Sequence, residues 1–438
     1  MFSQTKKPAS RKVHRFIAVL LTAVLMLSCA ACGGDANSNE PSLASSSNIS
    51  NEPSSISNDN ISNENGTLSG GNHGKVIAVY ASNNHSAFIT EDGRLWTVGG
   101  NGYGQLGRTS GAYSNDIVAM MDNVLQAALG EKHTAALKND GSLWVWGDNY
   151  YGQLGNGKSG GEIDAYDEDI DSETPIKVLD EVVFIAANEY QTFAVKSDGS
   201  LWAWGYSGKI ITSNVDDIVT EPAKVMDDVI SVDIGGDITN GRFHAAVIKT
   251  DGSLWTWGNN QYYQLGDGTN NNKGAMETTK VAEDVAMVSI GRTHTLIIKN
   301  DGTLWGWGSN SDYILGDLKD DYVGVMTVIT EPKFIMDNVV SVAASTDRTL
   351  VVKTDGSLWG CGKNDKQELG IDNGKGDTLV EALREVITID NVAFIAAGKS
   401  YTFAIKNDGT LWGFGRNDRP LGLGSNLGNA ILPTQIEF

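Results

Sequence analysis

From about Lys75 onward, apolar residues occur in short blocks that return in the same order. The clearest stretch, residues 133–155, reads HTAALKNDGSLWVWGDNYYGQLG. An apolar run leads into an Asp-Gly step, followed by Leu-Trp and a second aromatic before glycine. The step recurs at Asp92-Gly93, Asp140-Gly141, Asp198-Gly199, Asp251-Gly252, Asp301-Gly302, Asp355-Gly356 and Asp408-Gly409. All eleven tryptophans lie just after these steps, from Trp96 through the pairs Trp144/Trp146, Trp202/Trp204, Trp255/Trp257 and Trp305/Trp307 to Trp359 and Trp412. Chance would scatter them. The chain is therefore read as seven units of roughly 50 residues.

Each unit opens with an apolar strand ending in small residues, as in VIAVYAS from Val76 or VAFIAAG from Val392. A second strand (HTAALK, YTFAIK) runs into Asp-Gly, a hairpin turn in which Gly takes positive φ at no steric cost. A third strand of the SLWVWG type follows. The chain leaves through a loop of variable length and returns as a short strand around Thr174-Pro175, Glu221-Pro222 or Glu331-Pro332. Three long pairing segments and one short one predict a four-stranded unit. The second and third strands are apolar at successive positions (Ala135, Ala136, Leu137; Leu143, Trp144, Val145, Trp146), so both faces of each sheet must be covered. Seven such sheets stacked around an axis predict an all-β, seven-bladed β-propeller, with tryptophans of order 200 Å² each between the blades. An open β-solenoid is the alternative; the number of units and their length favour a closed ring. The final ILPTQIEF looks like the Pro-containing strand, so residues 431–438 are expected to pair with the first unit's sheet and lock the ring.

The G-x-x-H-T/S strand, the D-G turn, the W-G strand and Gly-Gln-Leu-Gly together resemble the RCC1 (regulator of chromosome condensation) repeat family over roughly residues 75–438. Gly-Gln-Leu-Gly is intact at residues 104–107 and 152–155. It is altered at Tyr263-Gln264-Leu265-Gly266, Ile314-Leu315-Gly316, Glu368-Leu369-Gly370 and Pro420-Leu421-Gly422, and absent from unit three. The resemblance implies the propeller but fixes no activity.

The chain carries 33 Lys and Arg against 54 Asp and Glu, a net charge of −21. Five of those bases and no acid fall in residues 1–31, leaving 28 bases against 54 acids, or −26. Such a surface disfavours nucleic acid and anionic lipid. The basic head (Lys6, Lys7, Arg11, Lys12, Arg15) precedes an apolar run over residues 16–27, then SCAACGGD. The run is short for a membrane span and has the form of a secretory signal. Its end resembles a bacterial lipobox with Cys32 as the lipidated residue and Cys29 as fallback; a plain signal cut after Ala31 is the alternative. Residues 32–74 are rich in Ser and Asn, with NEPS at Asn39 and Asn51, and read as a disordered tether. The domain reading is thus residues 1–31 signal, 32–74 lipidated Cys and linker, and 75–438 propeller. The expected location is the membrane, lipid-anchored and facing outside the cytoplasm.

The polar place seven residues before each turn Asp holds His85, His133, His244 and His294, but also Gln191, Arg348 and Tyr401. A place that accepts those types is no metal site; a hydrogen bond to neighbouring backbone is expected. Cys361, in a tryptophan's place, is expected to be a buried small side chain. Asp of every turn is read as turn chemistry. No catalytic set, metal or cofactor motif stands out, so no enzyme activity, metal or cofactor is expected. Candidate partner-binding residues are those where the repeat is broken. One group is Asp164, Tyr166, Asp167, Asp169 and Asp171 in the long loop over residues 156–175, whose spacing does not fit an EF-hand. The other is Asp237 and Arg242 in an insertion over residues 235–244, expected at the opposite end from the long loops. The functional expectation is a monomeric, surface-anchored module that binds an extracellular protein or glycan and no nucleic acid. Inhibition of a secreted enzyme is a special case that the resemblance implies, since some secreted bacterial propellers of the family inhibit β-lactamases. An extracellular enzyme acting on polysaccharide or cell wall at the propeller mouth is the alternative. Nucleotide exchange on a small GTPase, the founding member's role, ranks last.

Overall fold

The computed structural model describes residues 74–109, 111–160, 170–236, 242–275, 277–319, 327–371, 378–417, 421 and 430–437. Cys32, the signal and the linker to residue 73 lie outside these, as do Asp164, Tyr166, Asp167, Asp169 and Asp237. Seven antiparallel four-stranded sheets follow one another in chain order and form a seven-bladed β-propeller. The inner strands are Val76–Ala81, Val124–Leu129, Val182–Asn188, Val229–Gly235, Val285–Ile290, Val339–Ala344 and Val392–Ala397. They lie side by side around the axis, the seventh beside the first. The second strands are His85–Thr90, His133–Lys138, Gln191–Lys196, His244–Lys249, His294–Lys299, Arg348–Lys353 and Tyr401–Lys406. Each is buried at its first five positions, as double-sided coverage requires.

The fourth strands differ from expectation. They run seven to nine residues in six blades, and only Thr279–Ala282 is short. Pro175, Pro222, Pro332 and Pro433 sit in these outer strands, where an edge N–H has no ladder partner to lose. Nor does the last strand lock the first sheet. Ala430–Ile436 pairs with Leu411–Arg416 of its own blade. The first sheet already has four strands, so no sheet has a vacancy. The ring closes through faces instead. Tyr401 Oη donates to the Ser82 carbonyl at 2.7 Å, and Val76 N to the Gly409 carbonyl at 3.0 Å. Phe88 and Phe403 meet edge to face with centroids 5.1 Å apart.

The Asp-Gly turns are built alike. Gly141 N donates to the Lys138 carbonyl (3.0 Å) and takes φ +81°, which closes a type I turn into the next strand. Asp140 Oδ1 accepts from Ser142 N (3.0 Å) and Oγ (2.6 Å), and Trp144 Nε1 donates to the same hydroxyl at 3.0 Å. The arrangement recurs with Asp198, Asp251, Asp301, Asp355 and Asp408. In blade one Thr90 supplies the hydroxyl.

Between blades a second device repeats. Trp144 and Trp146, two apart on one strand, face the same neighbour. Buried Trp146 donates to the Gln105 carbonyl of the preceding blade (3.0 Å), which also accepts from Thr134 Oγ1 (2.8 Å). The Gln153 carbonyl takes Trp204 and Thr192, both at 2.9 Å. The Gln264 carbonyl takes Trp307 and Thr295, again at 2.9 Å. Unit three, where Gly-Gln-Leu-Gly is absent, keeps the clamp: the Ile210 carbonyl accepts Trp257 Nε1 at 2.9 Å. Lys209 there adopts φ +69°, close to the +74° of Gly152. Only the backbone carbonyl makes this bond, so Ile210 in place of Gln keeps it while losing the turn contact that the Gln side chains make to backbone N–H. Cys361, in a tryptophan's place, lies fully buried with Sγ 3.7 Å from the Ile314 carbonyl, and burial pushes its thiol up to about 12.

The polar place before each turn makes a buried hydrogen bond, between blades for the histidines and Arg348 and within the blade for Gln191. Gln191 donates to the Tyr206 carbonyl of its own blade. Arg348 donates to the carbonyls of Gly398, Lys399 and Tyr401 in the next. The histidines depart from the expected backbone partner. His85 Nε2 lies 2.8 Å from Thr134 Oγ1, His133 Nε2 2.9 Å from Thr192 Oγ1, and His244 Nε2 3.2 Å from Thr295 Oγ1. Each threonine gives its hydroxyl hydrogen to the clamp carbonyl, so the histidine must be the donor to it. Burial holds all three imidazoles near a pKa of about 3, and hence neutral. The Gly of G-x-x-H makes room for the ring, since a Cβ on Gly130 would lie 2.1 Å from His133.

Candidate functional site

The second and third strands form a hairpin, so the turn entering the one adjoins the loop leaving the other. Asp148 N donates to the Lys132 carbonyl (3.0 Å), Tyr206 N to Tyr190 (3.1 Å) and Asn259 N to Phe243 (2.7 Å). The insertion before His244 therefore shares an end of the propeller with the long loops, contrary to expectation. We call this the upper face.

At its centre an axial cavity of about 180 Å³ is lined by the inner-strand ends and following turns of all seven blades. Most of the lining is small: Ser82, Gly130, Gly235, Gly236, Gly291, Ser345, Ala397 and Gly398. The charged side chains among it are Glu131, Glu189 and Arg292.

From the acidic side of this mouth an arc of aromatic rings runs over blades two to four. Tyr151 is in edge contact with Tyr150 (4.9 Å), Tyr190 (4.7 Å) and Tyr206 (5.5 Å), and Tyr206 continues to Phe243 (6.0 Å). Tyr190 Oη donates to Glu131 Oε2 at 3.0 Å, which ties the arc to the axial mouth. Burial, with Glu131 alongside, raises the Tyr190 pKa above its usual value. At one end Lys132 Nζ sits 4.3 Å above the Tyr103 ring and donates to its hydroxyl at 3.2 Å. Tyr103 and Tyr150 are 40% and 44% exposed and face solvent, whereas Tyr190 and Phe243 are buried in the core and Tyr151 and Tyr206 are half-buried against it.

Two carboxylates bind the backbone of the turn that carries Tyr150. Asp148 accepts from Tyr150 N (3.0 Å), and Asp171 from Asn149 N (2.9 Å). Burial first, and then the neighbouring Asp171 charge, push Asp148 up to about 6. Burial also raises Asp171. Lys132 attracts Asp148 without offsetting the burial.

Of the residues singled out from sequence, Asp171 thus falls beside the turn that carries Tyr150. Arg242 falls beyond its far end, donating to Tyr262 Oη at 3.1 Å with the guanidinium 5.5 Å from that ring. The other five lie outside the described residues, in segments that leave the structure beside Tyr150 and Arg242: Gly160 N donates to the Tyr150 carbonyl at 3.0 Å. Sequence reasoning missed the tyrosines, Glu131, Lys132 and Asp148. The available signal was the gathering of Tyr103, Tyr150, Tyr151, Tyr190, Tyr206 and Tyr262 at the loop ends of successive units. Among the described residues, no group of three or more His, Cys, Asp or Glu converges as a metal-ligand set.

Two models of the regulator of chromosome condensation (RCC1) repeat match this chain, one over residues 92–137, 140–195 and 251–298. The other matches residues 76–105, 124–153, 230–264, 285–313, 339–368 and 392–419. Together they cover more than half of it. The chain belongs to the RCC1 repeat family. Protein pim1 of Schizosaccharomyces pombe is 26% identical over 233 residues, 52% of this chain and 35% of pim1. The ultraviolet-B receptor UVR8 of Arabidopsis thaliana is 28% identical over 278 residues, 62% of each protein. The chain therefore spans from about a third to somewhat under two thirds of these relatives. Among solved structures, Prp20p of Saccharomyces cerevisiae superposes with a TM-score of 0.66 at 22% identity, covering 80% of this chain and 88% of that one. Human WBSCR16 gives 0.60 at 19% identity, covering 75% and 85%. At that identity the likeness is one of fold.

Proposed function

We propose that this RCC1 propeller is a binding module for an extracellular protein, held at the outer side of a membrane by lipid on Cys32, and that it works without turnover. The observation that carries the binding half is the tyrosine arc beside the axial mouth. Tyrosine supplies large contact area at small entropic cost and is enriched in protein interfaces. Loops on a rigid scaffold are the usual place for such surfaces. Family precedent supports it: Prp20p was characterised with its binding to Gsp1p and histones, and was solved bound to Kap60. The anchoring half rests on the basic head, the apolar run and the lipobox-like SCAACGG. Inhibition of a secreted enzyme is the narrower form of this reading, because a rigid face can occlude an active site by docking alone.

Two experiments test the two halves. Fatty-acid labelling of the full chain should place lipid on Cys32; undiminished labelling of Cys32→Ser would overturn the anchor. Incubation with surface extract should give saturable, stoichiometric protein capture and leave glycans intact. Cleavage of glycan bonds, abolished by Glu131→Gln or Glu189→Gln at the mouth, would instead establish the enzyme reading.

A further inference from the structure

The upper face indicates which partner chemistry it suits, and this inference rests on the protein-binding reading above. We infer that the arc of Tyr150, Tyr151 and Tyr190, with Glu131, Asp148 and Asp171, is the docking surface for a basic segment of a protein partner. An arginine or lysine side chain of that segment lies against the exposed Tyr150 ring and the half-buried Tyr151, beside the carboxylates.

Three observations converge on a cation. Tyr151 packs edge to face against Tyr150 (4.9 Å) on one side and the buried Tyr190 (4.7 Å) on the other, which holds Tyr150 in place while it stays 44% exposed. A ring face left open attracts a guanidinium or ammonium through its quadrupole. The same pairing already occurs at the end of the arc, where Lys132 covers Tyr103 at 4.3 Å. At the base of the Tyr150–Tyr151 turn, Asp148 and Asp171 accept from backbone N–H groups, and burial makes their charge costly. A cation from outside would relieve that cost. Finally, the chain as a whole carries −21, which steers a basic partner toward it and an acidic one away. Neutral glycan would gain nothing from the buried carboxylate charge, so the protein occupant is preferred.

The test uses the full chain and a fluorescent hexa-arginine peptide, titrated by anisotropy at about 50 mM and about 150 mM salt, because charge steering weakens over that range. Saturable binding is expected. Tyr150→Ala with Tyr151→Ala leaves the charge unchanged and should weaken it about tenfold, as loss of paired aromatic anchors does. Tyr150→Phe with Tyr151→Phe keeps the rings and should restore most of the binding. Asp180→Asn with Asp227→Asn removes two charges at the opposite end and should change binding less than about twofold. A melting curve for each variant establishes that it is folded. Equal weakening by the tyrosine and opposite-end variants would mean a general acidic coat and overturn the inference. So would Tyr-dependent binding of maltohexaose in place of the peptide. Protein capture from extract that survives the alanine pair would sink the inference while leaving the broader binding function standing.

Discussion

The clamp at the Gln153 carbonyl can be tested by a double-mutant cycle. This oxygen, with Gln153 fully buried, accepts from Thr192 Oγ1 and Trp204 Nε1 of the next blade, both at 2.9 Å. Thr192→Val removes one donor and also the partner of His133 Nε2, for a loss of about 1–2 kcal/mol. Trp204→Phe removes the other donor and part of a fully buried ring, for about 2–3 kcal/mol. Either single variant leaves the carbonyl one partner. The double variant leaves it none, and an unsatisfied buried acceptor costs about 1–2 kcal/mol more. The double variant should therefore lose more than the sum of the singles. Urea midpoints followed by circular dichroism are the suitable readout. With unfolding entropy near 2.1 cal/mol/K per residue over roughly 360 residues, 1 kcal/mol moves Tm by only ~1.3 °C. Additivity within about 0.5 kcal/mol would refute the idea that the two donors share one acceptor.

Other consequences follow from the same geometry. Asp233 is half-buried between blades, accepts from Ile290 N of the next blade at 2.7 Å, and has its pKa pushed up by desolvation to about 7. Between about pH 4 and 7 the folded state holds a proton that the unfolded state has lost, so this group makes stability fall as pH rises, by up to ~1.4 kcal/mol per unit. Urea midpoints across that range should differ in slope between the parent and Asp233→Asn, with the variant missing this downward term; parallel curves would contradict it. The buried histidines act in the opposite sense: with folded pKa values of about 3, His85, His133 and His244 contribute stability above pH ~6.5 that is lost as pH falls toward 3. His133→Gln should therefore flatten the acid side of the stability profile, read by the same titration. Gly205→Ala should destabilise by more than about 3 kcal/mol, seen as poor soluble yield or a lowered urea midpoint, since φ is +105° and the new Cβ would lie 2.2 Å from the Tyr190 carbonyl oxygen.

The parts legible in sequence are those written locally. The Asp-Gly turn, the apolar second strand and the tryptophan pair each depend on neighbours a few residues away, and sevenfold repetition averages out the exceptions. Ring closure was not legible because it depends on which sheet has an empty edge, and residues 431–438 look alike whether they fill the first sheet or the last. Unit three hid its clamp because a carbonyl makes the bond, so Ile210 in place of Gln erases the motif without erasing the contact. The histidine partner was missed because it lies some 50 positions away on the adjacent blade, at Thr134, Thr192 or Thr295. The end of the propeller to which the insertion belongs follows from hairpin connectivity, which puts Phe243 beside Asn259. The tyrosine arc joins Tyr150 and Tyr151 of blade two to Tyr190 and Tyr206 of blade three, and spacing along a chain does not reveal rings that meet across blades.

Site-specific photocrosslinking on intact cells tests most directly whether this propeller is a binding module that works through its upper face. A benzophenone side chain would be placed in turn at Tyr103 or Tyr150, exposed on the upper face, and at Ile387, 83% exposed between blades six and seven. Crosslinking of the upper-face positions to one protein species, with none from Ile387, is the predicted result. The same species crosslinked from Ile387 but not from Tyr103 or Tyr150 would contradict it.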